Sequence, residues 1–202
     1  MNDLKNAQTK TFVRLLLYFV SLTIVLYVIS QLFSCFELED LLKENATIEW
    51  LECLWLSISG LFLFLAARKT TNFPKLFAVL WLLPLIAICR ELDGELDKML
   101  FHGSWVIPAA ILASLLFYRI SKSFGTIKAE SLHFVQTQQI IWLGMGFFIV
   151  TVFAQICGQQ SMWKVVLEEN YRRDVGRFLE EILEFLGYII LAVGSIECYL
   201  QS

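Results

Sequence analysis

FPKLFAVLWLLPLIAICRELDGELDKMLFH, residues 73–102, decides how the chain is read. Its first half is apolar apart from Lys75. Its last 14 residues carry four carboxylates (Glu91, Asp93, Glu95, Asp97), two cations (Arg90, Lys98) and His102. Read as a membrane helix, the apolar run brings Arg90 and Glu91 to one end of a span. An ionisable group at that depth is costly unless it is paired, buried in protein or hydrated, which makes this junction the first candidate for a functional site.

Composition supports the membrane reading. The 202 residues are 57% hydrophobic and 17% charged, with a mean hydropathy of +0.65. Soluble domains run at about 45–50% apolar and roughly 25% charged. Three prolines and no serine-, glycine- or glutamine-rich tract leave little room for a disordered linker. A net charge of −3 argues against a nucleic-acid partner, since such domains carry a clustered basic face.

Six apolar segments follow, at residues 12–33, 48–67, 73–90, 104–120, 139–157 and 178–200. Crossing a hydrocarbon core of roughly 30 Å takes about 20 helical residues. Backbone groups in lipid must be satisfied within the segment, so spans of this kind are helices. The expected fold is all-α: a polytopic membrane protein, one domain over residues 1–202, built as a bundle of six transmembrane helices. A short interfacial amphipathic helix is expected before the last span, because Trp163, Val166, Leu167, Tyr171, Val175 and Phe178 recur at helical spacing among charges. Leu38, Leu41 and Leu42 form a shorter version in the first loop. Lys5 and Lys10 ahead of residues 12–33, with Leu32-Phe33-Ser34-Cys35 behind, loosely fit a cleaved leader. The apolar region is longer than the roughly 7–15 residues of such leaders, so a retained first span is expected.

Nine of the 16 Lys and Arg fall on the side of the N-terminus and of the loops around Arg68 and at residues 119–130. The other seven include Arg90 and Arg177, which the sequence assigns to the membrane interior. By the positive-inside rule the expectation is a multi-pass plasma or bacterial inner-membrane protein with both termini cytoplasmic.

The spans differ in kind. Only 14 residues, about 21 Å at 1.5 Å per residue, separate Lys75 from Arg90, so the charges at the outer end lie near or below the hydrocarbon boundary. On the second span Glu49, Glu52, Cys53, Leu56 and Gly60 share a face. On the sixth, Arg177, Glu184, Gly187, Tyr188, Gly194 and Ser195 fall within roughly one third of the circumference, with Glu181 nearby. Small residues on such faces let helices approach closely. The fifth span shows a stripe of Gly144, Thr151, Gln155 and Gly158. The fourth carries Pro108, Ala109, Ala110, Ala113 and Ser114. Three helices thus bring charge to one level, and the ligand- or ion-binding candidates are Glu49, Glu52, Arg90, Glu91, Asp93, His102, Arg177, Glu181 and Glu184.

Chemistry is less legible than location. Both ELD repeats would place like charges at i,i+4 in a continuous helix, while a solvated acidic turn at Asp93-Gly94 is the simpler reading of Glu95 and Asp97. A carboxylate cluster suits a divalent cation such as magnesium, calcium or manganese better than zinc. The two histidines, His102 and His133, fall on opposite sides. No haem, nucleotide or nucleophile-turn motif is present, and Asp93-x-x-x-Asp97 lacks the flanking residues of lipid-linked transferase motifs. A Cys35–Cys157 disulfide suits an oxidising exterior, but buried free thiols are commoner. Three classes stay open beside the bilayer itself as partner. The first is a polar pocket for a proton, cation or lipid head-group. The second is a structural partner protein with an ion-pair lock. The third is an enzyme acting on a lipid or lipid-linked substrate at the outer leaflet.

Overall fold

The computed structural model describes residues 2–35 and 47–202, and these fall into two units, Met1–Leu41 and Leu42–Ser202. The amphipathic pattern expected at Leu38, Leu41 and Leu42 and the Cys35 side chain lie outside the described residues. The first unit holds helix α1, Asn2–Cys35, whose apolar part is Thr11–Tyr27. Here the helix starts well before the apolar run, because Asp3 to Lys10 are polar without being helix breakers.

The second unit is built of helices joined by short turns, with no strand among its described residues. It comprises α2 (Thr47–Lys69), α3 (Pro74–Leu80), α4 (Leu82–Glu91), α5 (Asp93–Met99), α6 (Val106–Phe134) and α7 (Gln139–Phe148). A π-helical turn, Ile149–Ala154, joins α7 to α8 (Gln155–Cys157). After α9 (Gln160–Leu167) the chain ends in α10 (Arg173–Leu200). Four helices are long and apolar enough to cross a membrane: Ile48–Lys69 of α2, α6, Gln139–Cys157 and α10.

Three expectations are corrected. The third segment, residues 73–90, is two helices divided at Trp81 rather than one continuous helix. Pro84, in the first turn of α4, has no N–H to continue the ladder back into α3, and the Arg119 guanidinium from α6 donates to the Ala78 carbonyl beside the break at 2.9 Å. The loop expected at residues 119–130 is helical, since α6 runs on to Phe134 with one non-helical residue at Ser123. Polarity ends a membrane span without ending a helix. The amphipathic segment before the last span is shorter than the sequence pattern, because Glu168 adopts φ 48° and closes α9, and α10 begins at Arg173 rather than Phe178. Pro108 sits in the first turn of α6, where no intrahelical bond is lost.

The extension of α6 has a local use. Glu130 is buried and its carboxylate accepts from the backbone N–H of Leu76 at 2.6 Å and of Lys75 at 3.4 Å. These are orphan donors of the first turn of α3. Beside this cap, Phe73, Phe77 and Phe134 stack edge to face, and Leu63, Ala66, Leu76 and Cys198 complete that core. Aromatic pairs of this geometry add about 0.5–1.5 kcal/mol beyond burial.

Helix α10 is the axis of the second unit and packs along α2 and α7. Against α7 the contact is made by glycines. A Cβ on Gly146 would lie 2.8 Å from the Gly187 carbonyl oxygen, one on Gly187 2.4 Å from a Val150 methyl, and one on Gly194 2.9 Å from Leu143. The small face predicted on the last span is therefore a helix-packing face. The stripe predicted on the fifth span is not: Gly144 and Thr151 are exposed, and Gly146, Val150 and Ala154 are buried instead. The buried positions Gly146, Val150 and Ala154 recur four residues apart, and the last two lie in the π turn, which interrupts the 3.6-residue period.

Against α2 the contact is polar at mid-helix. Ser59 and Ser195 are buried with their hydroxyls 2.7 Å apart, and Ser195 Oγ also donates to the Leu191 carbonyl at 2.7 Å. Ser59→Ala is expected to lower stability by about 0.6 kcal/mol, the usual worth of an interhelical bond in a membrane bundle. Equilibrium unfolding in micelles should show the double variant with Ser195→Ala losing less than the sum of the singles.

Candidate functional site

Three helix ends meet at the level of the charges. The first turns of α2 present Glu49 and Glu52, the last turn of α4 presents Arg90 and Glu91, and α10 presents Glu181, Glu184 and Tyr188 at i, i+3 and i+7. Those spacings keep each set on one helical face. Glu52 lies in electrostatic reach of Glu49, Glu91, Glu181 and Glu184.

The carboxylates are not equivalent. Glu184, 3% exposed, accepts from Arg90 Nη2 at 3.3 Å and from Gln155 Nε2 at 2.7 Å, both at the same oxygen. Glu91 is buried and accepts from the Tyr188 hydroxyl at 2.6 Å. Glu181 is half-buried with Arg177 Nε 3.7 Å away. Glu52 is 0% exposed, and neither of its carboxylate oxygens has a hydrogen-bond partner among the described residues. Burying an ionised carboxylate without donors or a counter-charge is among the costliest arrangements in a protein.

Of the residues predicted from sequence, Glu49, Glu52, Arg90, Glu91, Glu181 and Glu184 come together, with Arg177 at the edge through Glu181. Asp93 is exposed at the start of α5, within electrostatic reach of Glu91. His102 is elsewhere: it is fully exposed, with Nδ1 2.7 Å from Asp97 Oδ2, while Asp97 Oδ1 accepts from the backbone N–H groups of Gly103 and Ser104. The tandem ELD repeat is also split, because Leu92 leaves helical geometry between Glu91 and Asp93. Glu95 instead pairs with Lys98 at 3.6 Å. Arg90 is half-exposed on its side chain and reaches Glu184 from above rather than lying inside the bundle.

Two members escaped assignment from sequence. Tyr188 stands on the predicted polar face, and its position four residues after Glu184 is the signal that marks it. Gln155 was placed near the charged level, and it reaches Glu184 because the π turn aims it there. Cys53, Cys89, Cys157 and Cys198 are free thiols. Among the described residues no group of three or more His, Cys, Asp and Glu is arranged to hold a metal ion.

Helix α9 packs through Trp163 beside the start of α10. Trp163 Nε1 donates to the Cys157 carbonyl, and its ring lies against Gly176, where a Cβ would come within 2.9 Å.

These features define an all-helical protein with four helices able to cross a membrane and a buried carboxylate group at one end of α2, α4 and α10. Compared with known proteins, the chain matches no family model, no curated protein and no solved structure.

Proposed function

We propose that the chain is a multi-pass protein of the plasma or bacterial inner membrane whose buried carboxylate group accepts a small cationic ligand, a proton or a monovalent cation. In this reading all six apolar segments cross the bilayer, α3 and α4 together making one broken span. Both termini lie in the cytoplasm and the carboxylates at the extracytoplasmic end, as the distribution of Lys and Arg suggests.

The observation that carries the reading is Glu52, wholly buried beside Glu91 and Glu184, with neither oxygen partnered among the described residues. A site with this excess of carboxylates attracts positive charge. An anionic head-group is disfavoured, because Arg90 and Arg177 are already engaged by Glu184 and Glu181. The ion-pair lock is the second reading, and the double occupation of Glu184 by Arg90 and Gln155 favours it. It accounts for Glu184 and leaves Glu52 unexplained. The third class, a lipid-directed enzyme with Glu52 as general base, needs a reacting group within hydrogen-bond reach of that carboxylate.

A ligand that binds only the folded state raises stability with its concentration, by about 2.7 kcal/mol at a hundredfold excess over its Kd. Purified full-length protein in micelles is expected to show a Tm that rises with acidity or with sodium, potassium or ammonium chloride, against a choline control. Glu52→Gln, close in size and neutral, removes that dependence. Identical profiles for wild type and Glu52→Gln across all these conditions would leave only the lock.

A further inference from the structure

Resting on the cation-site reading, the geometry points to a more specific occupant: we infer that the ligand is a proton carried by the Glu52 carboxyl, with Tyr188 and Arg90 holding the two neighbouring carboxylates as its ionised companions.

The distribution of donors separates the three buried acids. Glu184 has a guanidinium and an amide on one oxygen, and Glu91 has a phenol hydroxyl. Hydrogen bonds donated to a carboxylate stabilise its charged form. Glu52 receives none from the described residues. If all three were ionised, Arg90 would be the one cation among the described residues paired directly with any of them. The arrangement needs one positive charge more, and needs it at Glu52.

A metal cation fits that need poorly. Hard cations in proteins take a shell of about six oxygen ligands or several retained waters, and among the described residues no cluster of three ligating side chains exists. A proton requires no shell. It converts one carboxylate oxygen into a hydroxyl, removes one negative charge, and leaves a group whose burial costs far less than an ion's. The proton comes from water and returns to water, with no other bond made or broken.

The groups facing Glu52 make this a graded route. Glu49 and Cys53 stand on its own helix, Glu91 on α4, and Glu181, Glu184 and Tyr188 on α10, while Arg90 of α4 faces Glu184 and Glu91. Asp93 of α5 lies beyond Glu91. Exposure falls along the acids from Asp93, exposed, through Glu49 and Glu181, half-buried, to Glu184 and Glu91, and reaches zero at Glu52. Protons entering from the α2 and α10 ends meet carboxylates at each depth, and Glu52 is the terminus. Tyr188 is a positioning residue: its hydroxyl fixes the oxygen of Glu91 and keeps that group an acceptor.

The test is infrared difference spectroscopy on full-length protein in lipid, stepping the pH and reading the carbonyl band of a neutral carboxylic acid. Wild type is expected to show this band near neutral pH, with a deuterium shift. Glu52→Gln loses it, Glu52→Asp moves it, and Glu184→Gln keeps it. The Asp variant reads the same group should the Gln variant fail to fold. A band that survives Glu52→Gln, or stays unmoved in Glu52→Asp, overturns the assignment. Absence of any such band in wild type, with a Tm that rises in sodium or potassium and not in choline, overturns the proton while leaving the cation site. Absence of both removes the two readings together.

Discussion

Gly146→Leu is expected to separate α7 from α10 and to be the most damaging single substitution in the second unit. Even the first carbon of a new side chain would stand 2.8 Å from the Gly187 carbonyl oxygen and 2.9 Å from the Leu191 backbone nitrogen. Backbone cannot rotate aside as a side chain does, so the two helices must move apart. Gly146→Ala isolates the effect, because alanine would otherwise gain about 1 kcal/mol of helix propensity over glycine. Overpacking typically costs about 1–3 kcal/mol, so the net change for alanine is expected to be destabilising. Leucine exceeds it by forcing the gap open along Val150 and Gly194 as well. Gly144→Ala is the control: nothing lies within 4 Å of a Cβ there, and stability should be unchanged or slightly raised. Unfolding midpoints in micelles for the three variants check the series. A Gly146→Ala protein as stable as Gly144→Ala would mean the helices do not meet at this point.

Tyr188→Phe is expected to produce the second largest loss. The substitution keeps the ring packed against Leu56 and Val150 and removes only the hydroxyl that donates to Glu91 at 2.6 Å. Hydrogen bonds to charged groups are worth about 1.5–3 kcal/mol, and a buried acceptor left without its donor carries the full desolvation cost. Glu91→Gln should lose less, because its amide oxygen still accepts from Tyr188. Combining the two should cost little more than Tyr188→Phe alone, since the charge that needed the donor is gone. A double-mutant cycle on unfolding midpoints measures this. Additive losses would show that Tyr188 and Glu91 do not act on each other.

Glu52 makes an instructive contrast with these two sites. Its substitution by glutamine removes no hydrogen bond, because none is present among the described residues. Its expected effect is a changed response to pH and cations rather than a simple loss of stability. Structural and ligand-binding roles therefore separate experimentally within one cluster.

Much of this was legible in the chain. The apolar segments at residues 48–67, 139–157 and 178–200 coincide with helices able to cross a membrane, because hydrophobic length is a local property and each residue's solvent preference is carried by its own side chain. The faces on α2 and α10 were legible for the same reason. A 3.6-residue period alone puts Glu49, Glu52 and Leu56 on one line, and Glu184, Tyr188 and Ser195 on another. Where the period failed, backbone geometry had changed without a composition signal. The π turn at Ile149–Ala154 interrupted the period of the fifth segment, the turn at Leu92 split the ELD repeat, and the polar residues after Arg119 continued α6 rather than ending it.

By itself, then, the sequence determined that the chain is helical, with helices long and apolar enough to cross a membrane, and the level at which its charges gather. The tertiary structure decided how those charges are shared: Arg90 and Gln155 to Glu184, Tyr188 to Glu91, His102 to Asp97 and, among the described residues, no donor to Glu52. Hydrogen bonding is fixed within a few tenths of an ångström, between residues as far apart in the chain as Glu91 and Tyr188. Those distances follow from how closely glycine lets α7 approach α10 and from where α3 and α4 break, and both are properties of packed backbones rather than of any one segment's pattern.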